Sequence, residues 1–153
     1  MQLTYDPAVF NVDSISAAMQ IILTPEDSTT EARWKTETPY LADLIGQQFD
    51  ISPHSLLLDY GCGIGRMAKE VIVRHGCRVI GVDISPSMQA LATKYVASDR
   101  FFACPPAMLD GLTERGVIFD GALSIWVLQH CQYPAEDVAP YVARCGRTGG
   151  YSC

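Results

Sequence analysis

Two hydrophobic periods alternate along this chain. SLLLDY (55–60) is a continuous apolar run of strand length, the pattern of a strand buried on both faces. From Ile64 the period changes, because Ile64, Met67, Ala68, Val71 and Ile72 fall three and four apart. That spacing predicts an amphipathic helix, and Gly76 stops it. CRVIGVD (77–83) is a second buried strand, and Ser85-Pro86 caps a helix with Met88, Leu91, Ala92 and Tyr95 on one face. RFFAC (100–104) predicts a third strand, and VIFDGALSIWVL (117–128) contains a fourth. Upstream, residues 15–23 suit a short helix, and Thr24-Pro25 and Thr38-Pro39 each read as a helix start. After the second, Leu41, Leu44, Ile45 and Phe49 give one apolar face. Near the end, Val138, Tyr141, Val142 and Cys145 suggest a helix over 134–145 that Pro140 interrupts. Alternating strands and helices imply an α/β fold: a doubly wound, mainly parallel sheet with helices on both faces.

Composition changes this picture little. The 153 residues suffice for one core, and 48% hydrophobic with 18% charged is ordinary for a globular domain. No apolar run approaches the ~20 residues of a membrane span, and the N-terminus lacks the pattern of a signal peptide. Six scattered cysteines without a C-x-x-C pair favour free thiols in a cytoplasmic protein over a disulfide framework, and no metal is expected. The net charge of −6 lies wholly in residues 1–50, with eight acids against two bases. An acidic segment repels phosphate backbones, so nucleic acid is not the expected partner.

The chemistry concentrates in DYGCGIGR (59–66), where Gly61, Gly63 and Gly65 alternate at the turn from the first strand to its helix. Ligands of open α/β sheets bind at such turns, where a glycine lets the backbone approach closely and the helix start offers free N–H groups. Asp83, ending the second strand, is placed to accept hydrogen bonds from both hydroxyls of a ribose. A phosphate P-loop, G-x-x-x-x-G-K-[S/T], is absent. A dinucleotide turn needs Gly or Ala where Arg66 stands, which disfavours a nicotinamide-dependent oxidoreductase.

The pattern D-x-G-x-G-x-G from Asp59 to Gly65 resembles motif I of the class I S-adenosylmethionine-dependent methyltransferases. VIGVDISPSM (79–88) resembles their ribose-binding strand, FDGALSIWVLQHC (119–131) their fourth strand, and VARCGRTGG (142–150) a late Gly-Gly turn. The resemblance implies S-adenosylmethionine as cofactor on a Rossmann-like core over 38–153, with 1–37 as a helical cap. It places Asp59, Gly61, Cys62, Gly63 and Gly65 around the methionine portion, Asp83 on the ribose and Ile84 against adenine. Ser124, Ile125 and Trp126 would line the floor near the sulfonium. Cys104-Pro105-Pro106 replaces the Gly-Asp that often follows the third strand, so backbone groups near Ala107 and Met108 are expected to meet adenine.

The expected reaction is methyl transfer to a small-molecule acceptor by in-line displacement, with His130 as the candidate general base. A non-catalytic cofactor-binding module is the alternative. The family core has seven strands and this chain ends just after the Gly-Gly turn, which suggests a sheet lacking its C-terminal strands. A homodimer through the open edge beside the fourth strand is the corresponding expectation.

Overall fold

The structure, a computed structural model, describes residues 7–23 and 28–146. The expected helix start at Thr24 and the Gly149-Gly150 turn lie outside the described residues. Four strands, β1 (Leu56–Tyr60), β2 (Arg78–Val82), β3 (Phe101–Cys104) and β4 (Gly121–Leu123), form one parallel sheet in the order β3-β2-β1-β4. The leucine run makes β1 a central strand, with Leu57 between Val79 and Gly121 in register. Leu57 and Leu58 point to opposite faces, and each is only 1% exposed, so both faces are covered.

Among the described residues five helices cover them. On one face Leu57, Val79 and Leu123 pack against α2 (Thr30–Gln48), α3 (Arg66–His75) and the end of α4 (Pro86–Val96). On the other, Leu58, Tyr60 and Val82 meet α5 (Pro106–Glu114) and α6 (Pro134–Val142) through Leu109 and Tyr141. The short α1 (Ile15–Ile22) lies apart from the sheet, its Ala18 packed with Ile64, Met88 and Leu91. This is the doubly wound α/β architecture, and strand order reverses at β1. A crevice therefore opens beyond the carboxyl ends of β1 and β4.

Several local expectations match in detail. The Ser85 hydroxyl caps α4 by accepting from Met88 N–H, and Gly76 closes α3 at φ +64°. Two differ. α2 is a single helix that starts at Thr30, capped by Thr29, and runs through Pro39. Pro39 and Lys35, whose carbonyl loses its helical partner, are both exposed, so the lost bond lies on the solvent side of the helix. Thr38 caps nothing: its hydroxyl accepts from Arg66 Nε at 2.8 Å. α6 likewise runs through Pro140 and ends two residues later. Tyr141 anchors it, with its ring 5.6 Å from that of Tyr60 and its hydroxyl donating to Asp110 at 2.5 Å.

β4 lies inside the expected stretch 117–128 and holds three residues. At Ser124 the chain turns off the sheet as the hydroxyl donates to the Tyr60 carbonyl at 3.0 Å. Trp126 then takes a left-handed conformation, φ +61°, that side chains other than glycine seldom adopt. Upstream of β4, Phe119 makes a parallel bridge with Cys145, and Gly146 N–H donates to the Phe119 carbonyl at 2.9 Å.

Candidate functional site

A cavity of about 510 Å³ fills the crevice. Its floor is the glycine turn. Gly61, Gly63 and Gly65 all have positive φ, at +78°, +52° and +75°. The turn therefore coils through three left-handed positions in five residues, which explains the alternation. The N–H groups of Gly61 and Cys62 both donate to the Val82 carbonyl, at 2.7 and 2.9 Å, and tie the turn to the end of β2. The glycines differ in what they face. A Cβ on Gly61 would stand 2.2 Å from a Val127 methyl, and one on Gly65 would stand 2.5 Å from a Val96 methyl. Gly65 thus serves the packing of α3 on α4, and it does not line the cavity.

Asp83 closes the turn from the side. Its Oδ2 accepts from Gly63 N–H and its Oδ1 from Ser85 N–H, both at 2.9 Å. Each oxygen retains a second lone pair, so the carboxylate can still take two hydroxyl donors. Burial raises its pKa, and the backbone N–H groups of Ser85, Gly63 and Ile84 oppose that rise.

Asp59 is buried more deeply, at 3% exposure. Desolvation is the largest cause that lifts its pKa from 3.8 to about 7, with the nearby charge of Asp83 adding to it. Its Oδ2 has no hydrogen-bond partner. A buried, unsatisfied carboxylate oxygen on a cavity wall is unfavourable unless a ligand supplies a donor or a positive charge. Cys62 beside it stays a thiol, because burial pushes its pKa well up.

The remaining wall is apolar at one end and mixed at the other. Ile84, Met88 and Phe10 supply apolar surface to the cavity. Ile125, Trp126 and His130 come from the segment after β4. His130 Nε2 lies 3.1 Å from Gln129 Nε2, and its ring is 6.5 Å from the Phe10 ring. Desolvation lowers its pKa, so the imidazole is neutral at pH 7 and able to accept a proton.

The cavity thus gathers Asp59, Gly61, Cys62, Gly63, Asp83, Ile84, Ile125, Trp126 and His130. It does not gather Ser124, Ala107 or Met108. Ser124 is occupied with Tyr60, and Ala107 and Met108 are exposed on the first turn of α5. Lining residues that were not assigned from the sequence include Phe10, Ile22, Arg33 and Arg66. The first two arrive because Ser85 and Ser87 hydroxyls donate to the Phe10 carbonyl, at 2.9 and 3.2 Å, and hold the N-terminal segment over the turn. A side-chain Ile22 methyl then lies where a Gly63 Cβ would come within 2.8 Å. No periodicity signals such a placement.

A parallel sheet with a glycine turn and a carboxylate at the end of its second strand is the arrangement of the open α/β folds. Residues 58–153 match the methyltransferase domain family, and the chain belongs to it. It is 28% identical over 109 residues to the O-methyltransferase resE of Aspergillus sclerotiorum, covering 69% of this chain and 41% of that protein. It is 38% identical over 74 residues to the N-demethylindolmycin N-methyltransferase of Streptomyces griseus, covering 47% and 30%. Among solved structures, CalS10 with bound S-adenosylmethionine, an amino pentose methyltransferase from Micromonospora echinaspora, matches with a TM-score of 0.59. That likeness, at 23% identity over 89% of this chain and 53% of that one, concerns the fold. The chain spans about two fifths or less of these curated relatives. Among the described residues no helix is long and apolar enough to cross a membrane, and no cluster of three ligating side chains could hold a metal.

Proposed function

We propose that this chain binds S-adenosylmethionine and takes part in methyl transfer to a small-molecule acceptor in the cytoplasm. The observation that carries the proposal is the pair of carboxylates on one cavity: Asp83 with two spare lone pairs, and Asp59 with an unsatisfied Oδ2. They suit, in turn, a ribose and the cationic end of an amino-acid tail. The cofactor, when bound, supplies a methyl group already activated by its sulfonium.

What the protein contributes is placement. Asp83 and the Gly63 N–H fix the glycine turn, while Ile84 and Met88 offer a flat apolar surface to a ring. The segment 124–130 supplies the wall on which an acceptor is held in line, and such orientation alone is worth ~7–11 kcal/mol of barrier lowering. Cavity-lining His130, neutral at pH 7, is the base for an acceptor hydroxyl or amine that must lose a proton. The relatives include both an O- and an N-methyltransferase, and either acceptor type fits that role.

Calorimetry with S-adenosylhomocysteine and with NAD tests the cofactor assignment. Binding of the first in the micromolar range and none of the second is expected, and the reverse order refutes it. Transfer of a labelled methyl to hydroxyl and amine panels tests turnover.

The proposal includes self-association. Among the described residues the outward side of β4 meets only the Phe119–Cys145 bridge, which leaves backbone groups for a second copy. Sedimentation over a range of concentrations should show a dimer. A monomer at every concentration rules it out.

A further inference from the structure

Arg66 stands where a dinucleotide turn would need glycine or alanine, and no role for it emerges from the sequence. In the structure it opens α3 and lines the cavity at 4% exposure. Its Nε donates to Thr38 Oγ1, and the guanidinium lies 5.0 Å from the centre of the Trp34 ring. Neither Nη1 nor Nη2 has a hydrogen-bond partner. Glu37 Oε2 is 3.8 Å from Nη2, an ion-pair contact too long for a hydrogen bond, and that oxygen is unsatisfied too. Its neighbour Oε1 accepts from Arg33 Nε at 2.6 Å.

A buried guanidinium stays charged and is unfavourable while its outer donors are idle. The same cavity carries the opposite orphan, Asp59 Oδ2. Two unpartnered Nη donors of a guanidinium and an unsatisfied carboxylate oxygen on one cavity match a ligand that carries an acceptor anion and a donor cation on one end, which is the character of an α-amino acid. We infer that Arg66 binds the α-carboxylate of the cofactor's methionine tail, with Asp59 facing its ammonium; this rests on the S-adenosylmethionine assignment above. The planar outer edge of a guanidinium matches the two oxygens of a carboxylate. Both Nη atoms are sealed from water in the ligand-free protein. The group's one hydrogen bond is at Nε, which leaves both Nη donors to a ligand in the cavity its side chain lines.

The test compares S-adenosylhomocysteine with its decarboxylated analogue, which keeps the amine and the nucleoside. Calorimetry on the full chain is run for the native protein, Arg66→Met and Arg66→Lys. The native protein should prefer the carboxylate form by about 10- to 100-fold, as befits hydrogen bonds to charged groups. In Arg66→Met that preference should fall to within about threefold, with affinity for the decarboxylated analogue little changed. A preference that survives in Arg66→Met overturns the inference. If Arg66→Met does not fold, as judged by circular dichroism, Arg66→Lys decides. It keeps the charge without the fork, so a preference undiminished there also overturns the inference. Equal native affinity for both ligands overturns the carboxylate contact while the cofactor assignment stands. Failure of the native protein to bind either ligand overturns both.

Discussion

Replacing Asp59 with asparagine is expected to make the ligand-free protein more stable at pH 8 and unable to bind its cofactor well. The carboxyl group is fully enclosed, and its pKa stands at about 7 in the fold against 3.8 for the free side chain. A raised acid pKa means that the folded state prefers the proton. The group's favourable contribution is therefore complete below about pH 3.8 and is lost as pH rises toward 7. The whole difference corresponds to on the order of 4 kcal/mol. Asparagine keeps the shape and never ionises, so thermal melting at pH 8 should rise by about 4 °C or more, with a much smaller change at pH 4. A lower melting temperature at pH 8 refutes the account. The same carboxylate explains an expected pH profile. A cationic ligand group needs Asp59 ionised, so native affinity should be flat above about pH 7 and fall by up to about tenfold per pH unit below it. In Asp59→Asn that dependence should vanish together with most of the affinity.

Asp83→Ala should have the larger effect on binding. Its two oxygens do two things at once: they hold Gly63 and Ser85 by their backbone N–H groups, and they present the lone pairs that suit a ribose. Hydrogen bonds to a charged acceptor contribute about 1.5–3 kcal/mol each. Losing two ribose contacts therefore predicts a weakening of about 100-fold or more. Loosening the turn adds to this, because the left-handed coil at Gly61 and Gly63 relies on the Val82 carbonyl and on Asp83 to stay in place. Asp83→Asn is the graded control. Its one carbonyl oxygen preserves a single acceptor, so it should fall between the native protein and alanine. Calorimetry with S-adenosylhomocysteine measures all three, and an alanine variant within about threefold of native affinity would remove Asp83 from the site.

Much of this protein is legible from the sequence because the signals are local. The switch from the run at 55–60 to a helical period after Gly65 needs only neighbouring residues to be felt. So does the stop at Gly76, and so does the Ser85 cap, where hydroxyl and accepting N–H are three residues apart. The glycine turn is legible for the same reason: a left-handed backbone tolerates little else.

What the tertiary structure alone decided involves partners far apart in the chain. Thr38 reads as a helix cap in isolation, yet Arg66, 28 residues on, takes its hydroxyl and α2 continues through Pro39. The apolar stretch after Gly121 has strand character throughout, yet Ser124 bonds to Tyr60 and turns the chain away after three residues. Arg66 looks like a surface residue at a helix start, and Trp34 and Thr38 of α2 enclose it. In each case long-range contacts outweigh a local preference, from about 1 kcal/mol for strand propensity to about 3 kcal/mol for a proline inside a helix. Periodicity records which face of an element is buried, and the fold decides what that face meets.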